Sequence, residues 1–273
     1  MQRFPRHNAN WIIMHVRLWM AAIWDSAPSR HIAVAMALAL GSHAFAAELK
    51  VIAPNAVKET VTEIAKRFER ESEHRVVFTW AGSETISKRT AEGEVFDVVI
   101  NAAQNIDRGA TDGKLVPGSR ADFAKSGIGV AVRSGLPRPD VSTVDGLRQA
   151  LIKANSIAIS SGTSGRYLES LFRRLGVAEQ IKSKIVQPPS GAQIGEFIAR
   201  GDAELGIQQV AELLHAKGVE FLGALPPGVQ SYTVWSAGLH GSSTQVEVAR
   251  SFIAALKSAE SAAAIKTTGM EPM

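Results

Sequence analysis

From Leu49 onward, short apolar runs alternate with stretches of helical period, and this alternation predicts an α/β chain with wound, largely parallel sheets. Strands are expected over residues 49–53, 76–80, 95–100, 128–132, 156–160, 185–187, 205–208, 221–224 and 232–237. Helices lie between them. The clearest covers 57–71, where Val57, Val61, Ile64, Ala65 and Phe68 share one face, and a helix over 246–257 closes the chain. Gly176, Gly201 and Gly218 each follow a helical run, at the place a left-handed cap is wanted. Two segments, 125–135 and 228–238, couple flexible residues to an extended run and read as crossings between lobes. On that reading residues 47–126 and 231–273 form lobe one, residues 127–230 form lobe two, and the crossings are a hinge. One open sheet is the plainer alternative.

The N-terminal segment changes the charge balance. Arg30 and His31 precede nine apolar residues, 32–40, and Ala44-Phe45-Ala46 then supplies small residues at alternate positions, which is the order of a secretory signal. Nine residues fall short of the roughly 20 that span a bilayer. Residues 1–46 are therefore expected to be a leader cleaved after Ala46, with the mature protein in the periplasm. The apolar stretch 11–24, interrupted by His15 and Arg17, has no reading beyond a long leader or a misplaced start. The whole chain carries 30 basic and 26 acidic residues, a net +4, but four arginines and one aspartate fall in the leader, so the mature chain is near +1. Its basic residues are interleaved with acids, which removes the footprint of a nucleic-acid binder. The chain has no cysteine, which excludes thiol catalysis, thiolate metal sites and a thioether-linked lipid anchor.

Four expected strands end in small or polar turns that open helices: Ala53-Pro54-Asn55-Ala56, Ala81-Gly82-Ser83-Glu84-Thr85, Ser160 through Thr163-Ser164-Gly165-Arg166, and Ser190-Gly191-Ala192-Gln193. A turn entering a helix leaves backbone N–H groups unpaired with the positive end of the helix dipole behind them. In open α/β sheets ligands sit at the carboxyl ends of strands, and two of these turns come from each lobe. A small anion held between lobes is the consequence. Arg166 stands in a first helical turn, against the dipole, which points to a negative partner gripped bidentately; a salt bridge to a nearby Glu is the competing reading. Gln208-Gln209 follows the strand ending at Ile207 and presents a further amide, or simply begins a helix in solvent.

Leu49-Lys50-Val51-Ile52-Ala53, Ala81-Gly82-Ser83, Phe96-Asp97-Val98-Val99-Ile100, Gly162-Thr163-Ser164-Gly165-Arg166-Tyr167 and Gly201-Asp202-Ala203-Glu204-Leu205-Gly206-Ile207 resemble the periplasmic molybdate-binding proteins of ABC importers. The resemblance covers nearly all of 48–272. It implies two Rossmann-like lobes joined by a hinge, the type II periplasmic binding protein fold. It also implies a monomeric receptor without metal or cofactor, handing a small anion to a membrane permease. The family holds a tetrahedral oxyanion with a Ser from each of the first two turns, backbone amides from the third and fourth, and a Tyr after the strand matching Leu205 to Ile207. By position, Ser83 is kept, the third turn offers the Ser164 amide, and Gly191 or Ala192 serves the fourth. Asn55-Ala56 replaces the first Ser and Gln209 replaces the Tyr. With Arg166, these amides suit an organic carboxylate better than molybdate.

Two other readings are weighed. An exported Ser-dependent hydrolase would need a nucleophile with its base, but the chain has no G-x-S-x-G or S-x-x-K, and His74, His215 and His240 fall on dissimilar segments. The expectation is a protein that is not an enzyme. A sugar receptor would stack rings on aromatic faces, yet Trp80 and Trp235 alternate with apolar residues as core packing does.

Overall fold

Along β1 (Glu48–Pro54), Leu49, Val51 and Ala53 enter one apolar cluster and Ile52 enters another, as a strand covered on both faces requires. The computed structural model describes residues 46–273. The expected leader, apart from Ala46, lies outside the described residues. β2 (Arg75–Ala81) and β3 (Val98–Ala102) pair with β1 in parallel, while β10 (Thr233–Leu239) returns antiparallel between β3 and β4 (Ala121–Ser126). With β11 (Glu271–Pro272) at the edge, the order is β11-β4-β10-β3-β1-β2. Helices α1 (Lys58–Ser72), α2 (Ser83–Ala91) and α3 (Ala103–Thr111) follow β1, β2 and β3 in turn.

A second sheet has the order β7-β6-β8-β5-β9, so the single open sheet is not what forms. Its strands are β5 (Ile128–Arg133), β6 (Ile157–Ile159), β7 (Ile185–Val186), β8 (Leu205–Gln209) and β9 (Val219–Ala224). α4 (Val144–Lys153), α5 (Thr163–Arg174), α6 (Ala178–Ile181), α7 (Ile194–Arg200) and α8 (Val210–Leu213) connect them. Alternation holds again: Ile128, Val130 and Val132 face one cluster, and Ala131 faces the other. α9 (Val246–Leu256) and α10 (Ser261–Thr267) pack back on α1 of the first body.

β4 was not expected from the sequence. Asp122 and Lys125 break its apolar pattern, but Asp122 accepts from Ser236 Oγ at 2.6 Å and from Arg120, while Phe123 and Ala124 are buried. The strand expected at 95–100 begins only at Val98, because Val95 is half exposed and Asp97 turns its carboxylate onto the Lys50 N–H at 2.8 Å. The caps are where the pattern puts them: Gly201 ends α7 at φ 86° and Gly176 follows α5 at φ 68°.

The chain leaves the first sheet at Gly127, between β4 and β5, and returns through residues 225–232 into β10. Two glutamines stitch these passages. Gln230 accepts the Ile128 N–H at 2.8 Å and donates to the Ile128 carbonyl at 3.0 Å, so its side chain acts as one more backbone pair. Gln209, fully buried, is satisfied when its oxygen accepts from Thr233 Oγ1 at 2.8 Å and its amide donates to Ser126 Oγ at 3.1 Å and the Gly127 carbonyl at 3.2 Å.

The first core centres on Phe252 of α9, fully buried and edge-on to Phe68 at 5.3 Å and Phe78 at 6.5 Å. Phe252→Ala should cost about 3–5 kcal/mol. Chemical denaturation is expected to show a lower midpoint with an unchanged slope; an unchanged midpoint would mean that this contact is not central to the core.

Candidate functional site

All four turns singled out in the sequence line one cavity of ≈ 50 Å³: Pro54, Asn55 and Ala56; Ala81, Gly82 and Ser83; Ser160, Gly162, Thr163 and Ser164; Ser190, Gly191 and Ala192. The first two turns leave strands of the first sheet and the last two belong to the second. They touch directly. Asn55 Nδ2 donates to the Gly191 carbonyl at 2.8 Å, and Thr85 Oγ1 donates to Ser190 Oγ at 3.3 Å. A Cβ on Gly82 would lie 2.2 Å from Ser190 Oγ and 2.6 Å from the Gly191 nitrogen, so this approach is open only to glycine. Gly191 itself sits at φ 87°.

α2 and α5 begin without a side-chain cap. Their first helical bonds run from Ile86 N to the Gly82 carbonyl at 2.9 Å and from Arg166 N to the Gly162 carbonyl at 3.1 Å. The N–H groups of 83–85 and 163–165 precede those bonds and have no helical acceptor. Two buried side-chain donors at the cavity also lack partners among the described residues: Trp235 Nε1 and Thr163 Oγ1. An orphaned indole N–H in a side chain only 2% exposed costs about 1–3 kcal/mol unless something enters to accept from it.

The expected site residues divide. Asn55, Ala56, Ser83, Ser164, Gly191, Ala192 and Gln209 line the cavity. Within that set, Asn55 commits its amide to Gly191, Ser164 Oγ pairs with Ser160 Oγ at 3.0 Å, and the Ala192 N–H donates to the Pro189 carbonyl at 3.0 Å inside its own turn. Gln209 commits its amide to the crossing segments instead of presenting it to a ligand. Gly165 lies off the cavity: a Cβ there would stand 1.6 Å from the Ser160 carbonyl oxygen, so its role is to let the turn close. Arg166 also lies off the cavity. Its guanidinium pairs with Glu84 of α2, half exposed.

Two lining residues escaped the sequence reading as site residues: Glu212 and Trp235. Trp235 looked like strand packing because it alternates with apolar neighbours, and it is core as well as cavity wall. Gln208 is buried; its oxygen accepts from the Ile194 N–H at 3.0 Å and its Nε2 donates to Glu212 Oε1 at 2.8 Å. Glu212 drew no reading from the sequence. Burial alone pushes its carboxyl up to about 8. Among the described residues it is the one ionisable group lining the cavity, and no Lys, Arg or His lines it. Among the described residues no group of three His, Cys, Asp or Glu converges as a metal site, and no helix is long and apolar enough to cross a membrane.

Comparison with known proteins accords with this architecture. The chain is 32% identical over 231 residues to the aconitate isomerase of a Pseudomonas species, covering 82% of this chain and 88% of that protein. It is 29% identical over 194 residues to a molybdate-binding protein of Rhodobacter capsulatus, covering 68% and 74%. The solved periplasmic molybdate-binding protein of Azotobacter vinelandii superposes with a TM-score of 0.71 at 23% identity over 81% of this chain and 98% of that one, which shows the type II periplasmic binding protein fold. The family model described as bacterial extracellular solute-binding protein matches residues 49–271, and the chain belongs to that family.

Proposed function

We propose that this protein is the solute receptor of an importer, closing two lobes over a small organic polycarboxylate. The lobes are residues 47–126 with 231–273, and residues 127–230; they swing about Gly127 and the return near Gln230. The observation that carries the ligand class is the mixture around the cavity: orphaned donors at Trp235 Nε1 and Thr163 Oγ1 beside apolar surface from Pro54, Ala56 and the Trp235 ring. Donors suit carboxylate oxygens, and the apolar surface suits a carbon skeleton that a bare tetrahedral oxyanion does not have. The volume, ≈ 50 Å³, admits roughly three to five waters, so a polycarboxylate, with more heavy atoms than that, enters with the lobes further apart than they stand here. Export through a leader ending at Ala46 would put the receptor in the periplasm as a monomer, where a permease reads the closed form.

A second reading has one specific support. The relative named aconitate isomerase shares more identity, over more residues, than the Rhodobacter molybdate binder does, and Glu212 puts an ionisable carboxyl in the cleft. On this reading the same closure serves turnover of the ligand.

Isothermal titration with di- and tricarboxylates, molybdate and sulfate tests the ligand class. Carboxylates are expected to bind, with a change in tryptophan fluorescence as Trp235 gains an acceptor. Binding of molybdate alone would overturn the class, and heatless titrations with every solute would overturn the receptor. Arg166→Ala should weaken binding by no more than about fivefold, in a salt-sensitive way, because a half-exposed ion pair contributes about 0–1 kcal/mol to closure. A thirtyfold loss would instead mean that Arg166 reaches the ligand.

A further inference from the structure

A carboxyl in a cavity built for an anion is an electrostatic contradiction. No lining cation offsets it, and an ionised Glu212 would repel the ligand that the orphaned donors invite. Burial keeps Glu212 largely protonated near neutral pH, which removes the repulsion on binding, and the ionised fraction can then take a proton from what binds. From this geometry, and resting on the polycarboxylate reading above, we propose that Glu212 is the general base and acid of an isomerisation, moving one proton between two carbons of an unsaturated polycarboxylate held in the closed cleft.

The surroundings fit that role. Gln208 is locked by Ile194 and donates to one Glu212 oxygen, which fixes the carboxyl. α8 packs against β5, β8, β9, α7 and the turn 55–57. The titratable groups on and next to these elements are engaged elsewhere: Glu196 with Arg200, Arg200 with Asp202, Glu220 with Arg138, Arg133 against Gly201, and Lys58 over the Trp80 ring. His215 and Lys217 follow α8, and neither they nor the others contribute to the raised carboxyl, whose one cause is burial. A carboxyl poised near 8 is matched to proton transfer close to neutral pH.

The step balances without a co-reactant. The Glu212 carboxylate takes a proton from the methylene carbon that lies between a carboxylate and the double bond. The C–H electron pair becomes a new double bond to the central carbon. The pair of the old double bond takes the proton back from Glu212 at the far carbon, and Glu212 ends as it began. Charge that builds on the substrate carboxylates meets the Trp235 and Thr163 donors and the amides that open α2 and α5.

The test uses trans-aconitate with the full protein in D2O, followed by proton NMR, with binding measured in parallel by titration. The wild type should bind it, incorporate deuterium at its methylene and vinyl carbons, and form the cis isomer. Glu212→Gln should lose exchange by at least about a hundredfold while affinity changes less than tenfold, which also shows that the variant folds. In the wild type, kcat/KM should rise with pH and level off above about 8, since the base must be ionised, while affinity falls over the same range as like charges meet. Binding without formation of the cis isomer would overturn the proposal and leave the receptor standing. Exchange at an undiminished rate in Glu212→Gln would overturn it too, as would a cleft that takes saturated carboxylates but not aconitate. A cleft that binds no carboxylate overturns both.

Discussion

Backbone amides with no partner of their own, brought together from two sheets, are the constraint on which the rest of this structure depends. A helix start leaves donors that must be satisfied by a cap, by water or by a ligand. Here α2 and α5 open without side-chain caps at the rim of one small cavity, and two of its lining residues, Trp235 and Thr163, carry a buried indole N–H and a buried hydroxyl without partners among the described residues. The molecule thus presents positive potential without placing a cationic side chain in the cleft. That choice keeps affinity in fixed dipoles, which need little reorganisation when the ligand arrives.

Bringing those dipoles together requires two bodies that meet and a connection that tolerates their meeting. Gly82, Gly165 and Gly191 remove the side chains that would hold the turns apart. The glutamines do the opposite work at the crossings. Gln230 and Gln209 replace backbone hydrogen bonds where the chain passes between sheets, so the passages are narrow but have their polar groups satisfied. Arg166 and Glu84 add a half-exposed contact at the rim, favourable only while the turns are close.

Much of this was legible in the residues. Strand alternation and the long apolar face of α1 specify the two bodies, because burial on both sides of a sheet leaves an unmistakable period. The turns were legible because strand, small residues and helix follow in order. What stayed hidden depended on partners distant in sequence. β4 is recognisable only once Ser236 is seen to satisfy Asp122, 114 positions away. Gln209 reads as a ligand amide until Ser126 and Thr233 are placed around it. Trp235 serves core and cavity at once, and one-dimensional alternation reports only the first. For Arg166 the sequence offered a ligand or a nearby Glu as the negative partner, and in this structure it pairs with Glu84.

The central claim is that one small anion sits between the turns of both sheets, held by groups that otherwise lack partners. A crystal structure of the protein with its tightest-binding carboxylate tests it most directly. The account expects ligand oxygens within hydrogen-bond reach of Trp235 Nε1, Thr163 Oγ1 and the amides opening α2 and α5, all at once. A ligand bound elsewhere, or touching the turns of one sheet only, would contradict it.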